Sequence, residues 1–248
     1  MEVKDFIRAV ADGTFKEVTH FIEKEKADVN TKDEHGYSVL HIAATRGIKE
    51  LAEILISNGA KINAKSSNGN TPLHLATTET IARFLISSGA NVNAESNNGN
   101  TPLHHAATVK IAKTLISAGA NVNARNNDNG WTPLHCLAER SIVLNDCLDF
   151  ASILVEGGAD VNAKDNRGDS PLVLAVRNSK TELIKFLVSN GADINTRDLD
   201  DMTPLHCAVN VGVDMVKCLV ELGASVTSGC CPSGHSHSTV AGGLDVMS

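Results

Sequence analysis

Residues 69–74 read Gly69-Asn70-Thr71-Pro72-Leu73-His74, and the same six residue types return as Gly99-Asn100-Thr101-Pro102-Leu103-His104. This segment decides the fold, because each residue type in it carries a local instruction. A Thr hydroxyl accepts a hydrogen bond from the first free N–H groups of a helix, and Pro is preorganised at the first helical position. Apolar residues follow at helical spacing, so the segment predicts a helix start. A second apolar run comes behind it, as in Leu51-Ala52-Glu53-Ile54-Leu55-Ile56, and predicts a second helix. That helix runs into Asn58-Gly59 or Ser88-Gly89, whose Gly suits the left-handed residue that ends a helix. Both helices are expected to be about two to three turns long, below the roughly 12 residues that make a helix stable alone. They must therefore stack on neighbours.

Working outward, matching segments recur along almost the whole chain. Gly36, Gly69, Gly99, Gly130 and Gly168 share one slot, with Asp201 in the sixth, at spacings of 33, 30, 31, 38 and 33 residues. The segments behind them include Ser38-Val39-Leu40-His41, Thr132-Pro133-Leu134-His135, Ser170-Pro171-Leu172-Val173 and Thr203-Pro204-Leu205-His206. Self-similarity at such a period is the signature of a stacked repeat architecture. Copies close on Gly-Ala-X-Val/Ile-Asn, as in Gly59-Ala60-Lys61-Ile62-Asn63, and the polar stretch to Gly69 predicts a projecting turn or hairpin finger.

On this marker segment and a period of about 33 residues, the chain resembles the ankyrin-repeat family over nearly everything to residue 227. The resemblance implies an all-α solenoid of stacked helix-turn-helix units with projecting β-turn or hairpin fingers. Residues 1–35 are expected to form a degenerate capping repeat. In it Phe6, Ile7, Ala9 and Val10 share one helix, and Phe15, Val18, Phe21 and Ile22 share the next. Six repeats follow, at 36–68, 69–98, 99–129, 130–167, 168–200 and 201–227. The second and third are short between their helices, which predicts local distortion. The fourth gains residues around Ser141, and its apolar Ile142, Val143 and Leu144 are expected to fold over the helices. In the sixth, Met215, Val216, Cys218, Leu219 and Val220 leave apolar positions where a further repeat would pack. The 228–248 tail is rich in Gly and Ser and is expected to be disordered. Its Cys230, Cys231, His235 and His237 match no standard zinc spacing.

Composition excludes several classes of function. Among 248 residues, 22 Lys+Arg against 29 Asp+Glu leave a net charge of −7, which argues against a nucleic-acid footprint or a polybasic membrane surface. There is no run of 18 apolar residues, and the opening Met1-Glu2-Val3-Lys4-Asp5 lacks the features of a signal peptide. Six scattered Cys and the lack of any Asn-X-Ser/Thr acceptor favour a reducing compartment. We expect a monomer in the cytoplasm, or one delivered into a host cytoplasm without a cleaved signal peptide. No nucleophile elbow, phosphate-binding loop, zinc-protease helix or dinucleotide fingerprint occurs, so no catalytic residue, cofactor or metal is expected. The resemblance assigns His41, His74, His104, His135 and His206 a structural role, each bonding the Ser or Thr three residues before it and neighbouring backbone. Val173 departs from that pattern. Arg167-Gly168-Asp169 spells a tripeptide of integrin ligands, but its Gly is the repeat's own.

The function implied is a non-catalytic scaffold that binds a partner protein through the concave face of the first helices and the finger tips. The slot after each repeat glycine reads Tyr37, Asn70, Asn100, Trp131, Asp169 and Met202, so the only Tyr and the only Trp share it. Exposed aromatics are typical interface anchors. The expected partner-binding residues are Tyr37, Trp131 and Met202, flanked by His35, Arg46, Arg167, Arg177 and Leu199. Trp131 is expected to stand exposed, so that its loss leaves thermal unfolding nearly unchanged; the structural alternative has it packing across the neighbouring finger, so that its loss costs stability. Asn63, Asn93, Asn123, Asn162 and Asn195 each have Leu eight residues earlier, which resembles the target of asparaginyl hydroxylases. The structural alternative has each Asn bonding within its own turn. Another class of function uses the same surface: a substrate-recruiting adaptor, or a secreted effector of an intracellular bacterium or virus acting on a host protein.

Overall fold

The computed structural model describes residues 3–140 and 144–226. The expectations for Ile142, Val143, the side chain of Leu144 and the 228–248 tail fall outside the described residues. Helices come in pairs: α1 (Val3–Asp12) with α2 (Phe15–Glu23), α3 (Val39–Arg46) with α4 (Lys49–Ser57), and a 3-10 turn (Pro72–Leu75) with α5 (Glu79–Ser87). Then follow α6 (Pro102–His105) with α7 (Val109–Ser117), and α8 (Pro133–Glu139) with α9 (Leu144–Glu156). The last pairs are α10 (Pro171–Arg177) with α11 (Thr181–Ser189), and α12 (Pro204–Val211) with α13 (Val213–Glu221). First helices pack on first helices from α1 to α12, and second helices on second helices from α4 to α11. One apolar core runs through the stack, with Leu55, Leu85, Leu115, Leu154 and Leu187 wholly buried at one repeating position.

The all-α solenoid is as the sequence leads one to expect, but the fingers are turns and not paired strands. Among the described residues the one isolated bridge joins Lys32 and Ser38. A typical finger is closed by Ser66 N–H on the Asn70 carbonyl at 2.9 Å and Gly69 N–H on the Ser66 carbonyl at 2.9 Å. Gly69 sits at φ 76°, and a Cβ there would meet the Asn97 backbone nitrogen at 2.6 Å. The slot therefore demands glycine both for its backbone angle and for the close approach of the next finger.

The short repeats correct the expected helix length. Their first helix shrinks to one turn, Pro72–Leu75 or Pro102–His105, and the chain then extends to Thr78 or Thr108. Those Thr hydroxyls accept the N–H groups of Ile81 and Ile111 at 3.3 Å and start α5 and α7. Neighbours satisfy the carbonyls left over at the helix ends. The Thr77 hydroxyl donates to the Thr45 carbonyl at 3.0 Å, and Arg140 donates to the carbonyls of Ala106 and His104. In the fourth repeat the inserted residues partly lengthen the second helix, which begins at Leu144 and runs 13 residues with Cys147 and Phe150 buried. In the capping unit Phe6, Val10, Val18 and Ile22 are buried, while Phe15, first residue of α2, is 51 % exposed.

Asparagines link the repeats, rather than bonding inside their own turns. The side-chain N–H groups of Asn63, Asn93, Asn123 and Asn162 donate to the carbonyls of Gly89, Gly119, Gly158 and Gly191 at 2.9–3.2 Å. Their oxygens accept the N–H groups of Asn91, Asn121, Asp160 and Asp193 at 2.8 Å. Each amide thus uses both ends on the following repeat, and Asn195 accepts from Ser225 in the same register.

Candidate functional site

The fingers are held at a fixed height by the histidines. In the first repeat the Ser38 N–H donates to His41 Nδ1 at 3.0 Å, and the same bond recurs from Thr71, Thr101, Thr132 and Thr203 to their histidines. Nδ1 is therefore the acceptor, so Nε2 carries the proton. It is donated to the next finger, from His41 to the Asn70 carbonyl at 2.8 Å, His74 to Asn100 at 2.9 Å, His104 to Trp131 at 2.9 Å and His135 to Asp169 at 3.2 Å. Burial disfavours the imidazolium and pushes His74 and His104 down to about 4. It also lowers His41 and His135. These rings are neutral ties.

The chain breaks this pattern in the fifth repeat. Val173 stands in the histidine slot, and the buried Ser170 hydroxyl three residues before it has no hydrogen-bond partner. Next to this break, on the concave side of α10, lies a cavity of about 300 Å³ lined by two fingers and the helix. Its floor is Leu174 with the Asp169–Arg177 ion pair, its wall is Trp131 and Asp165, and its rim carries Asp128, Asn129, Asn166 and Arg167. The Trp131 indole N–H donates to Asp165 Oδ2 at 3.0 Å, and Asp165 Oδ1 accepts the N–H groups of Arg167 and Asp169 at 2.8 and 2.9 Å. Arg177 grips both oxygens of Asp169, with Nη2 3.1 Å from Oδ1. It also lies 4.0 Å from Asp198 of the next finger. Burial raises the Asp169 pKa against the pull of Arg177, and the Asp165 and Asp198 charges add to that rise.

The cavity brings together Trp131, Arg167 and Arg177 of the expected partner-binding residues. Leu199, 78 % exposed, is tied to the same finger edge by its N–H on the Arg167 carbonyl at 3.0 Å. Trp131 corrects the expectation of a free-standing aromatic, because it is partly buried against the core and its N–H is already engaged. Arg46 is a cap, donating to the Val10 and Gly13 carbonyls at 2.8 and 3.3 Å at the end of α1. His35 is exposed and Tyr37 half-buried in the first finger, with the Tyr37 ring 5.6 Å from His41. Met202 is half-buried in the last finger, its N–H on Asp198 Oδ1 at 2.8 Å.

Asp165 and Asp169 escaped the sequence reading, yet one slot carries the signal. Asp33, Ser66, Ser96, Asn126, Asp165 and Asp198 each turn a side-chain oxygen onto the N–H of the variable residue across the finger, at 2.8–3.2 Å. Acids at 165 and 198 make the last fingers more negative than the Ser-based ones. Burial pushes the Cys136 thiol up to about 11, so it is not poised as a nucleophile. Among the described residues, no group of three His, Cys, Asp or Glu is placed to hold a metal ion, and no helix is long and apolar enough to cross a membrane.

Short helix pairs tied finger to finger define a tandem-repeat solenoid of the protein-binding type. Family models for ankyrin repeats, described as three copies each, match residues 6–96, 66–126, 79–165 and 141–230, and the chain belongs to the ankyrin-repeat family. The ankyrin repeat domain of Bcl-3, a member of the IkappaB family, has a similar crystal structure, with a TM-score of 0.69 at 26 % identity over 87 % of this chain and 97 % of that one. The mouse (Mus musculus) fibronectin type 3 and ankyrin repeat domains 1 protein is 45 % identical over 51 residues, 21 % of this chain and 14 % of its own length. Ankyrin repeats are generally protein–protein interaction modules and form a non-enzymatic scaffold family.

Proposed function

We propose that the chain is a non-catalytic scaffold that holds a partner protein against the concave face of its first helices and its finger tips, acting as a monomer in the cytoplasm. The observation that carries this reading is the cavity beside α10, where Trp131, Arg167 and Arg177 converge on a frame fixed by hydrogen-bonded fingers. A pre-formed concavity whose charged and amide side chains are already fixed by hydrogen bonds offers a partner an ordered docking point at little entropic cost. Leu199, Met202 and, at the other end, His35 and Tyr37 extend the surface along the fingers, whereas Arg46 serves the fold. The thiols of Cys136, Cys147, Cys207 and Cys218 are free, in keeping with a reducing compartment. An adaptor or effector would need a second contact, and the exposed Val209, Val213 and Val226 of the last repeat are apolar surface for one.

Hydroxylation of Asn63, Asn93, Asn123, Asn162 or Asn195 would act on amides that tie successive repeats, so the turn must open first. Intact mass after exposure to an asparaginyl hydroxylase reads this directly. For the scaffold itself, a random peptide library displayed on phage is selected against the full chain, and bound peptides are mapped by amide chemical shifts. Shifts along the fingers and first helices are expected. Shifts confined to α4, α5, α7, α9 and α11 would overturn the reading.

A further inference from the structure

The cavity beside α10 carries more negative charge than it can neutralise. Asp128, Asp165 and Asp169 line it and Asp198 stands just behind Arg177, so four carboxylates face three guanidiniums: Arg167, Arg177 and Arg125, whose Nη2 lies 3.3 Å from Asn166 Oδ1. Arg177 is committed to Asp169. Asp165 accepts three hydrogen bonds, but a carboxylate offers about four acceptor sites, so Oδ2 retains one. Asp128 is exposed and takes one bond on Oδ2, from Asn98 at 2.7 Å.

Trp131 supplies the other half of the argument. Its N–H belongs to Asp165, so what remains of the indole for a visitor is its π surface. Among the described residues no cation of the chain lies over that ring. An indole face beside unmatched carboxylates attracts a cation carried on an apolar stem, through cation–π attraction and charge together. An incoming carboxylate would meet Asp128 and Asp165, with Arg167 exposed at the rim and Arg125 engaged by the Lys164 carbonyl and the Asn166 amide oxygen.

We infer that this cavity receives a basic side chain, the lysine or arginine of a partner's peptide segment, laid along the Trp131 indole with its charge toward Asp128 and Asp165. The inference rests on the scaffold reading above and names the chemistry of what the scaffold holds. Arg167 at the rim opposes the visitor's charge, so it tunes the affinity downward.

The test uses the lone indole N–H resonance of the full chain, labelled with ¹⁵N, titrated at constant ionic strength with four acetylated, amidated peptides Gly-X-Gly in which X is Arg, Lys, Gln or Glu. A single side chain is expected to bind with a dissociation constant on the order of 1–10 mM. The Arg and Lys peptides should shift the indole resonance saturably, and the Gln and Glu peptides should bind at least about tenfold more weakly. Asp128→Asn should weaken the Arg peptide by about three- to tenfold, and Arg167→Ala should tighten it by a similar factor. Both side chains are exposed, so the fold tolerates either change. Tighter binding of the Glu peptide, weaker binding in Arg167→Ala, or no saturable shift with Arg at about 50 mM overturns the inference. Peptides from the phage selection separate the two claims. Ligands that seat on the concave face with a neutral residue in the cavity sink the inference alone, while ligands that avoid the face sink the scaffold reading too.

Discussion

Acidification from pH 7 to pH 5 should loosen the stack at its second and third repeats, and the histidines set the size of the effect. His74 and His104 have folded-state pKa values of about 4, below the 6.5 of an unfolded chain. The unfolded state therefore takes up protons first, so the stabilisation is whole above about pH 6.5 and is lost progressively as the pH falls toward about 4. Linkage between these two values removes roughly 2 kcal/mol per histidine between pH 7 and pH 5, or about 4 kcal/mol for the pair. The geometry explains why the penalty is large. A proton arriving at Nδ1 displaces the N–H of Thr71 or Thr101, which donates there at 3.0 Å, in a pocket where the rings are only 4 and 2 % exposed. Asp169 acts in the opposite sense, since its raised pKa gives a contribution that fades as the pH rises, so the whole-molecule slope mixes both. The assay must isolate the rings. His74→Gln and His104→Gln keep an acceptor able to reach back to the cap N–H but cannot titrate. Urea unfolding at pH 7 and pH 5 should show each variant losing about 2 kcal/mol less over that interval than the parent. Ring-nitrogen shifts should show Nδ1 unprotonated and Nε2 protonated down to pH 5. A ring that titrates near 6.5, or a pH slope unchanged by Gln, would refute the neutral-tie argument.

Ser170→Ala removes a buried hydroxyl that bonds nothing and should change stability by less than about 0.5 kcal/mol, whereas Thr101→Ala, losing its bond to His104 at 3.0 Å, should cost about 1 kcal/mol; equal losses in urea would show that the unpaired hydroxyl has a hidden role. Asn93→Ala breaks the bonds to the Gly119 carbonyl and the Asn121 N–H, and about 1–2 kcal/mol should be lost, with faster amide exchange in the turn at 119–121. Unchanged exchange there would deny the inter-repeat link. Trp131→Ala should cost roughly 2 kcal/mol, because the indole packs on the core and its N–H binds a buried carboxylate. A melting temperature equal to the parent's would restore the picture of a free-standing ring.

What the sequence discloses is what repeats. Thr-Pro-Leu-His announces a helix start because cap, ring-locked φ and apolar face sit in adjacent residues, and all three act locally. The histidine ties were legible through the family resemblance that the same segment carries. The asparagine links were not, since Asn63 and Gly89 are 26 residues apart and only the stacked geometry makes the pair visible. Helix length in the short repeats was also out of reach. The first helices absorb the loss of three residues, because Thr78 and Thr108 restart the chain as caps of α5 and α7 and Arg140 takes the carbonyls at the end of α6. Of the site, Trp131, Arg167 and Arg177 were legible from their places in the repeat, while Asp165 was hidden in a slot that holds Asp, Ser or Asn by turns and whose bond across the finger only the structure shows.

The break in the histidine series and the cavity belong to one rearrangement. From the second to the fifth repeat, each finger is held from below by a ring N–H, and the last such bond, to the Asp169 carbonyl at 3.2 Å, is the longest of the four. Val173 then provides none, yet the sixth finger is not left loose. Arg177, one helical turn further along α10, reaches toward Asp198 of that finger while holding Asp169. An ion pair on an arginine whose side chain is 39 % exposed is worth at most about 1 kcal/mol, comparable to the hydrogen bond it replaces. The exchange alters chemistry more than stability. A neutral, inward tie becomes a charged one at the surface, beside the finger whose Asp165 holds the Trp131 indole. The repeat can diverge at this junction because stacking, not the histidine, supplies most of the energy that holds the units together. The capping and spacing rules thus fix the frame everywhere, and individuality gathers where one of them is relaxed.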